Sequence, residues 1–212
     1  MLDLIQGYKS NPVVILGGNG SMGRRYQAVL KYLKVPYLAV DIGSWGNMDE
    51  VVENTSRVII ATPTERHIDH IRFFNRPHHN IFCEKPISTE PGKVEQIVSE
   101  LKCNLSMSLQ YSVLTAAGSV GPSLYDYYNH GKDGLLWDCF QIIALATGEV
   151  SIKETSPIWR CTLNGLQLSL SDMDLAYIES IRRWLSYPGQ NLDEIVNMHW
   201  KVFNYGKQHG LN

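Results

Sequence analysis

Gly18, Gly20 and Gly23 stand in the pattern G-x-G-x-x-G inside the stretch "VVILGGNGSMGRRYQAVLKYL", which begins at Val13. A turn without side chains at those places lets backbone N–H groups approach a pyrophosphate and lets a helix start hard against the preceding strand. Asn19, Ser21 and Met22 belong to the same loop and count with the glycines as cofactor-binding positions. Asp41 follows about 20 residues on, at the end of the next apolar run, where a carboxylate can accept hydrogen bonds from both hydroxyls of a ribose. The pattern predicts a dinucleotide site. It also predicts NAD over NADP, because the carboxylate repels a 2′-phosphate and Ile42 and Gly43 offer no guanidinium to hold one.

The elements that must carry these residues follow from periodicity. Four apolar residues precede the glycines, and Met22, Tyr26, Val29, Leu30 and Leu33 recur behind them at helical spacing. Up to about residue 110, the short β-rich runs "VVILG", "PYLAV", "RVIIA", "NIFCE" and "NLSMSLQ" alternate with segments of helical length. Such alternation predicts crossover units and a parallel, Rossmann-like sheet.

After Tyr111 the pattern changes. The aromatic and polar stretch "SLYDYYNHGKDG" leads to a helical run "LLWDCFQIIALATG" that Gly148 is expected to end. The run "IWRCTLNGLQLSLS" reads as a hairpin turning at Asn164-Gly165. Counting outward pairs Leu163 with Leu166, Cys161 with Leu168 and Trp159 with Leu170 on one face, leaving Arg160, Thr162, Gln167 and Ser169 on the other. Ser171 with Asp174 resembles a helix start, carrying a stripe of Leu175, Ile178, Ile181 and Leu185. A last helix is expected from Asn191, with Leu192, Ile195, Met198 and Val202 inward. The fold class is therefore α/β: a parallel sheet over residues 1–111 that binds NAD(P), then a smaller α/β unit over 112–212 that contains the hairpin.

Composition excludes several functions. The chain has 212 residues, is 44% hydrophobic and carries a formal charge of -2, with an isoelectric point near 6.4. That balance gives no electrostatic reason to expect nucleic acid or an anionic membrane as a partner. No apolar run approaches the roughly 18 residues of a membrane span, and "MLDLIQGYKS" lacks the layout of a signal peptide, so a cytoplasmic protein is expected. Cys83, Cys103, Cys139 and Cys161 are too widely spaced for a zinc site or a disulfide framework and read as buried thiols. His67 and His70 share a helical face but have no ligand partner, so no metal is expected.

Two further segments narrow the class. "VIIATPTERHIDHI", followed after a crossover by "IFCEKPIS", resembles the glucose-fructose oxidoreductase / inositol dehydrogenase family (Gfo/Idh/MocA), whose members carry a threonine-proline turn and then a Glu-Lys-Pro signature. Here the turn is Thr62, Pro63, Thr64 and the signature Glu84, Lys85, Pro86. The resemblance implies a Rossmann domain, a second, smaller α/β domain with an open, mainly antiparallel sheet, and hydride transfer at a sugar or cyclitol carbon. It places Thr62, Pro63, Thr64, His67, Glu84 and Lys85 at the cofactor, with Lys85 beside the reacting carbon as a catalytic residue. The family's usual catalytic histidine, counted back ten residues from the glycine closing its helix, falls on Asp138 here. A carboxylate can accept a proton or orient a hydroxyl, but it does not titrate near neutrality as imidazole does. The second half is also short for the family, which implies a reduced sheet and a more open cleft.

Substrate contacts are expected from Tyr111 and from "YDYYNHGKDG", where Tyr125, Tyr127 and Tyr128 offer stacking faces and His130, Lys132 and Asp133 add titratable groups. The expected partners are a small sugar-type molecule, which a nucleotide sugar would satisfy, and a second copy of the chain meeting through the C-terminal sheet. The competing function is a cofactor-binding sensor or regulatory protein without turnover. Lys85 favours the enzyme; Asp138 and the short second half favour the rival.

Overall fold

The computed structural model describes residues 11–41, 48–115, 120–126, 134–153 and 160–211. Five parallel strands, β1 (Val13–Leu16), β2 (Tyr37–Val40), β3 (Arg57–Ile60), β4 (Asn80–Cys83) and β5 (Asn104–Met107), form a sheet in the order β2-β1-β3-β4-β5. They coincide with the five β-rich runs. Val13–Leu16 is buried along its whole length, as a strand covered on both faces must be. The crossovers are α1 (Ser21–Tyr32), α2 (Met48–Asn54), α3 (His67–Phe73) and α4 (Pro91–Ser99). Because strand order reverses beside β1, the carboxyl ends of β1 and β3 flank the crevice where such sheets bind ligands.

A second sheet has the order β7-β6-β8-β9, built from β6 (Ser123–Asp126), β7 (Val150–Lys153), β8 (Arg160–Leu163) and β9 (Leu166–Leu168). β6 runs parallel to β7 and antiparallel to β8, and β8 runs antiparallel to β9. The sheet is thus mixed and mainly antiparallel. Asn164 and Gly165 have φ of 51° and 81°, the left-handed pair a two-residue hairpin needs. Cys161 pairs with Leu168 and Leu163 with Leu166. Cys161, Leu163 and Leu168 are buried, while Arg160, Gln167 and Ser169 are exposed.

The structure corrects several local expectations. Ladder pairing ends before Leu170, which opens α7 (Leu170–Ser186) instead of pairing with Trp159; Trp159 lies outside the described residues. The cap of α7 is Ser169, which forms a capping box with Asp172, two residues ahead of the expected Ser171 and Asp174. The buried face of α7 is Met173, Ala176, Tyr177, Ile181 and Trp184, and Leu175 is 64% exposed. The run after Gly134 is two helices, α5 (Leu135–Asp138) and α6 (Phe140–Leu145), joined at Cys139. Gly148 does not close either one. Its role is a close approach, because a Cβ there would lie 2.7 Å from the carbonyl oxygen of Gly121. The last helix, α8 (Leu192–His209), is capped by Asn191 and buries Ile195, Met198 and Val202 as expected.

The core crosses residue 111. Val13, Ile15, Tyr26, Ile59 and Phe82 share one cluster with Met173, Tyr177, Ile181 and Trp184 of α7. Across the sheet, Val14, Leu16, Ile60, Ile81 and Cys83 join Phe140, Ile142, Leu163, Ile195 and Val202. Elements from the second half therefore cover both faces of the first sheet and bring α5 and α6 toward its carboxyl edge. All four cysteines are free and buried, and burial pushes the thiols of Cys103 and Cys161 up to about 11 and about 12.

Candidate active site

The glycine loop follows β1 directly. A Cβ on Gly23 would lie 2.1 Å from the carbonyl oxygen of Gly17, so α1 can begin this close to the strand only without a side chain there. Gly20 caps α1 with no side-chain hydrogen bond, and its first turn contains no acidic residue. The first-turn N–H groups of α1 are thus left to an anion, which fits the pyrophosphate of a dinucleotide. The Asn19 N–H donates to the carboxylate of Asp41 across 2.7 Å, joining the loop to the end of β2. Ile42 and Gly43 lie outside the described residues.

Beside the loop is a cavity of about 400 Å³. Met22, Thr62, Pro63, Thr64, His67, Glu84, Lys85, Tyr111, Tyr125 and Asp138 line it, together with Ala61, Glu65, Gln141 and Tyr177. The structure therefore gathers residues from the glycine loop, the turn after β3, the turn after β4, β6 and α5 around one space. Tyr128, His130 and Lys132, with Tyr127 and Asp133, lie outside the described residues.

Lys85 follows β4, and its peptide bond to Pro86 is cis. Its Nζ donates to the carbonyl oxygens of Trp137 and Asp138, each at 3.3 Å, the last two residues of α5. A cation at a helix C-terminus is favoured by the exposed carbonyls there. The two contacts hold the ammonium at the border between the two sheets' elements, with Asp138 half-buried beside it.

Glu84 is buried and its carboxylate is turned onto protein donors. Oε1 accepts from the Tyr26 hydroxyl and, at 3.1 Å, from Ser108 Oγ; Oε2 accepts the Lys85 N–H at 3.1 Å. Gln110 Nε2 donates to the Tyr26 hydroxyl at 3.2 Å, and Gln141 Nε2 donates to Gln110 Oε1 at 2.6 Å. Gln141 Oε1 in turn accepts the Tyr111 N–H at 3.0 Å. This chain of bonds runs from α1 to α6 behind the cavity. Burial, and then the Glu84 charge, raise the Tyr26 hydroxyl well above its usual range, so it stays a donor. Burial likewise raises the Tyr111 hydroxyl.

His67 is also turned inward. Its Nδ1 lies 2.8 Å from the Pro86 carbonyl oxygen and its Nε2 2.8 Å from that of Thr62. The Thr62 hydroxyl meets His70 Nδ1 at 3.0 Å, and burial lowers His70 to about 4. Sequence reasoning did not place Tyr26, Ser108, Gln110, Gln141 or Tyr177 at the site. Gln141 carried the clearest signal, as a polar residue inside the apolar run "FQIIALA". Among the described residues no group of three His, Cys, Asp or Glu side chains is placed to hold a metal, and no helix is long and apolar enough to cross a membrane.

A parallel sheet of order 2-1-3-4-5, a glycine turn after its first strand and an acid closing its second define a dinucleotide-binding α/β protein. Residues 13–110 match the model of the oxidoreductase family GFO_IDH_MocA, NAD-binding Rossmann fold. That segment holds all five strands of the first sheet and is similar to the NAD-binding part of the Gfo/Idh/MocA oxidoreductases. No curated protein matches the sequence.

Solved structures show the same fold at low identity. The WlbA (WbpB) dehydrogenase from Thermus thermophilus, in complex with NAD and UDP-GlcNAcA, is 12% identical with a TM-score of 0.64, over 92% of this chain and 94% of that one. UDP-N-acetylglucosamine 3-dehydrogenase GnnA from Acidithiobacillus ferrooxidans is 10% identical with a TM-score of 0.65, over 91% and 95%. A myo-inositol dehydrogenase from Corynebacterium glutamicum ATCC 13032 is 13% identical with a TM-score of 0.62, over 95% and 98%.

Proposed function

We propose that this protein is an NAD-dependent oxidoreductase that moves a hydride between the nicotinamide and a hydroxyl or keto carbon of a sugar or sugar derivative. The observation that carries this reading is the placement of Lys85 and Asp138 with the Thr62–Thr64 turn around one cavity beside the glycine loop. A space of about 400 Å³ is of the size small-molecule sites have.

Bound NAD supplies the hydride acceptor. The backbone of Gly18, Asn19, Gly20, Ser21, Met22 and Gly23 holds the pyrophosphate, and Asp41 accepts from the ribose and selects NAD over NADP. Thr62, Pro63 and Thr64 form one wall. Glu84 and His67 act from behind, since their polar atoms are engaged by protein groups that fix the two turns. Lys85 holds two of its three N–H donors on backbone carbonyls and offers the third to the reacting oxygen, stabilising it as its proton is taken or returned. Asp138 accepts a proton or orients a substrate hydroxyl, and Tyr111 and Tyr125 flank the sugar ring.

The likeness to dehydrogenases of UDP sugars and of inositol supports a polyhydroxylated substrate, and a nucleotide sugar is the form we favour. Residues 1–111 serve the cofactor, while 112–212 serve substrate and assembly in a cytoplasmic homo-oligomer. Arg160 and Gln167, on the exposed face of the second sheet, would meet the partner copy; light scattering returning only monomer at micromolar protein contradicts this. The function is tested by titrating NAD, then screening sugars and nucleotide sugars for NADH formation. Tight NAD binding with no turnover by any of them would favour the regulatory alternative.

A further inference from the structure

The turn that carries Lys85 is held by a residue 112 positions away in sequence. His199, on α8, is fully buried, and its Nε2 accepts the backbone N–H of Ile87 at 3.1 Å. Its Nδ1–H donates to the Ile195 carbonyl oxygen one turn earlier, at 2.7 Å. That second bond fixes the tautomer, so Nε2 carries the lone pair that Ile87 needs. The same ring packs on Phe140 of α6, with centroids 4.8 Å apart, two residues after the Asp138 carbonyl that receives Lys85 Nζ.

We infer that His199 is a positioning residue for Lys85, fixing the backbone after the Glu-Lys-Pro signature and steadying the helix pair whose carbonyls receive the ammonium. His67 is its counterpart from the other side, facing the Pro86 carbonyl while His199 takes the next N–H along the chain. Pro86 has no N–H of its own, so the Pro86 carbonyl and the Ile87 N–H are the polar handles by which this backbone can be gripped. Leucine or phenylalanine would fill the space of His199 and leave the buried Ile87 N–H without an acceptor. Burial lowers His199 to about 4, which keeps it neutral, and an acceptor, in the neutral pH range.

The inference rests on the reading of Lys85 as the group at the reacting atom, and its test separates the two. His199→Phe removes the acceptor, and His199→Gln keeps one. Brief acetylation with acetic anhydride, read at the Lys85 peptide, reports the exposure of Nζ without any turnover, with the exposed Lys93 as internal control. Lys85 is expected to label several-fold faster in His199→Phe than in wild type, with His199→Gln close to wild type and Lys93 equal in all three. With a substrate in hand, kcat should fall about 10-fold or more in His199→Phe, as small misplacements of catalytic groups do, while KM and NAD affinity stay within twofold. Should His199→Phe fail to fold, His199→Asn, too short to reach Ile87, takes its place. Unchanged Lys85 labelling in a folded variant without the acceptor overturns the inference. Faster labelling in a protein with no turnover on any sugar leaves the inference standing and removes the enzymatic reading.

Discussion

The Asn19 N–H and the Asp41 carboxylate are 2.7 Å apart, so a hydrogen bond ties the glycine loop to the residue that ends β2. Asp41 therefore has two functions: it sets the loop, and it presents acceptor atoms beside it. Asp41→Ala should weaken NAD about tenfold or more, since hydrogen bonds to charged groups are worth about 1.5–3 kcal/mol, and should weaken NADP much less. Asp41→Ser with Ile42→Arg should narrow or invert the preference by adding a guanidinium for the 2′-phosphate. Calorimetric titration of both nucleotides checks this. Wild-type protein that binds NADP more tightly than NAD contradicts it.

Gly23 and Gly92 make a matched pair of glycines in helices. A Cβ on Gly23 would strike the Gly17 carbonyl, whereas one on Gly92 meets nothing within 4 Å. Gly23→Ala should push α1 off β1 and abolish measurable NAD binding. Gly92→Ala should leave binding alone and raise stability by up to about 1 kcal/mol, through the lower entropy of the unfolded chain. Equal NAD affinity in the two variants would contradict the assignment of the loop.

Acid should loosen the fold well above the carboxylate range. Burial lowers both His70 and His199 to about 4 from 6.5. Between those values the unfolded chain binds more protons than the folded one, so stability is full above 6.5 and declines as pH falls toward 4. Each histidine adds a slope of at most about 1.4 kcal/mol per pH unit within that window. Urea midpoints should be lower at about pH 5 than at about pH 7, and His199→Gln should reduce the difference. A midpoint that rises on acidification contradicts the assignment.

The first sheet was legible in the sequence because apolar residues dominate its first four strands, from "VVIL" through "NIFC", and because these runs and "NLSM" alternate with segments of helical length. The site was legible where motif residues are close in sequence, as in Gly18–Gly23 or Glu84–Pro86. What was not legible depends on distance. Gln141 meets Gln110 and His199 meets Ile87 only because α6 and α8 fold against the first sheet. The strands β6 and β7 were missed because "SLYD" and "VSIK" are short and mix polar with apolar residues, taking their state from pairing with each other. The inward face of α7 is not legible because Met173, Ala176, Tyr177 and Trp184 form a second apolar line at helical spacing beside Leu175, Ile178 and Leu185, and packing on Val13, Ile15 and Phe82 decides between them.

The central claim is that Lys85 acts at the reacting atom of an NAD-dependent oxidation. Its most direct measurement is the rate of NADH formation by wild type and by Lys85→Met across a panel of sugars and nucleotide sugars, with NAD affinity measured alongside. The account predicts turnover by wild type on at least one of them, slowed about 10² to 10⁴-fold in Lys85→Met, with NAD affinity within a few fold because the loop and Asp41 are untouched. Equal and negligible NADH formation by both proteins, at full NAD occupancy, would contradict it.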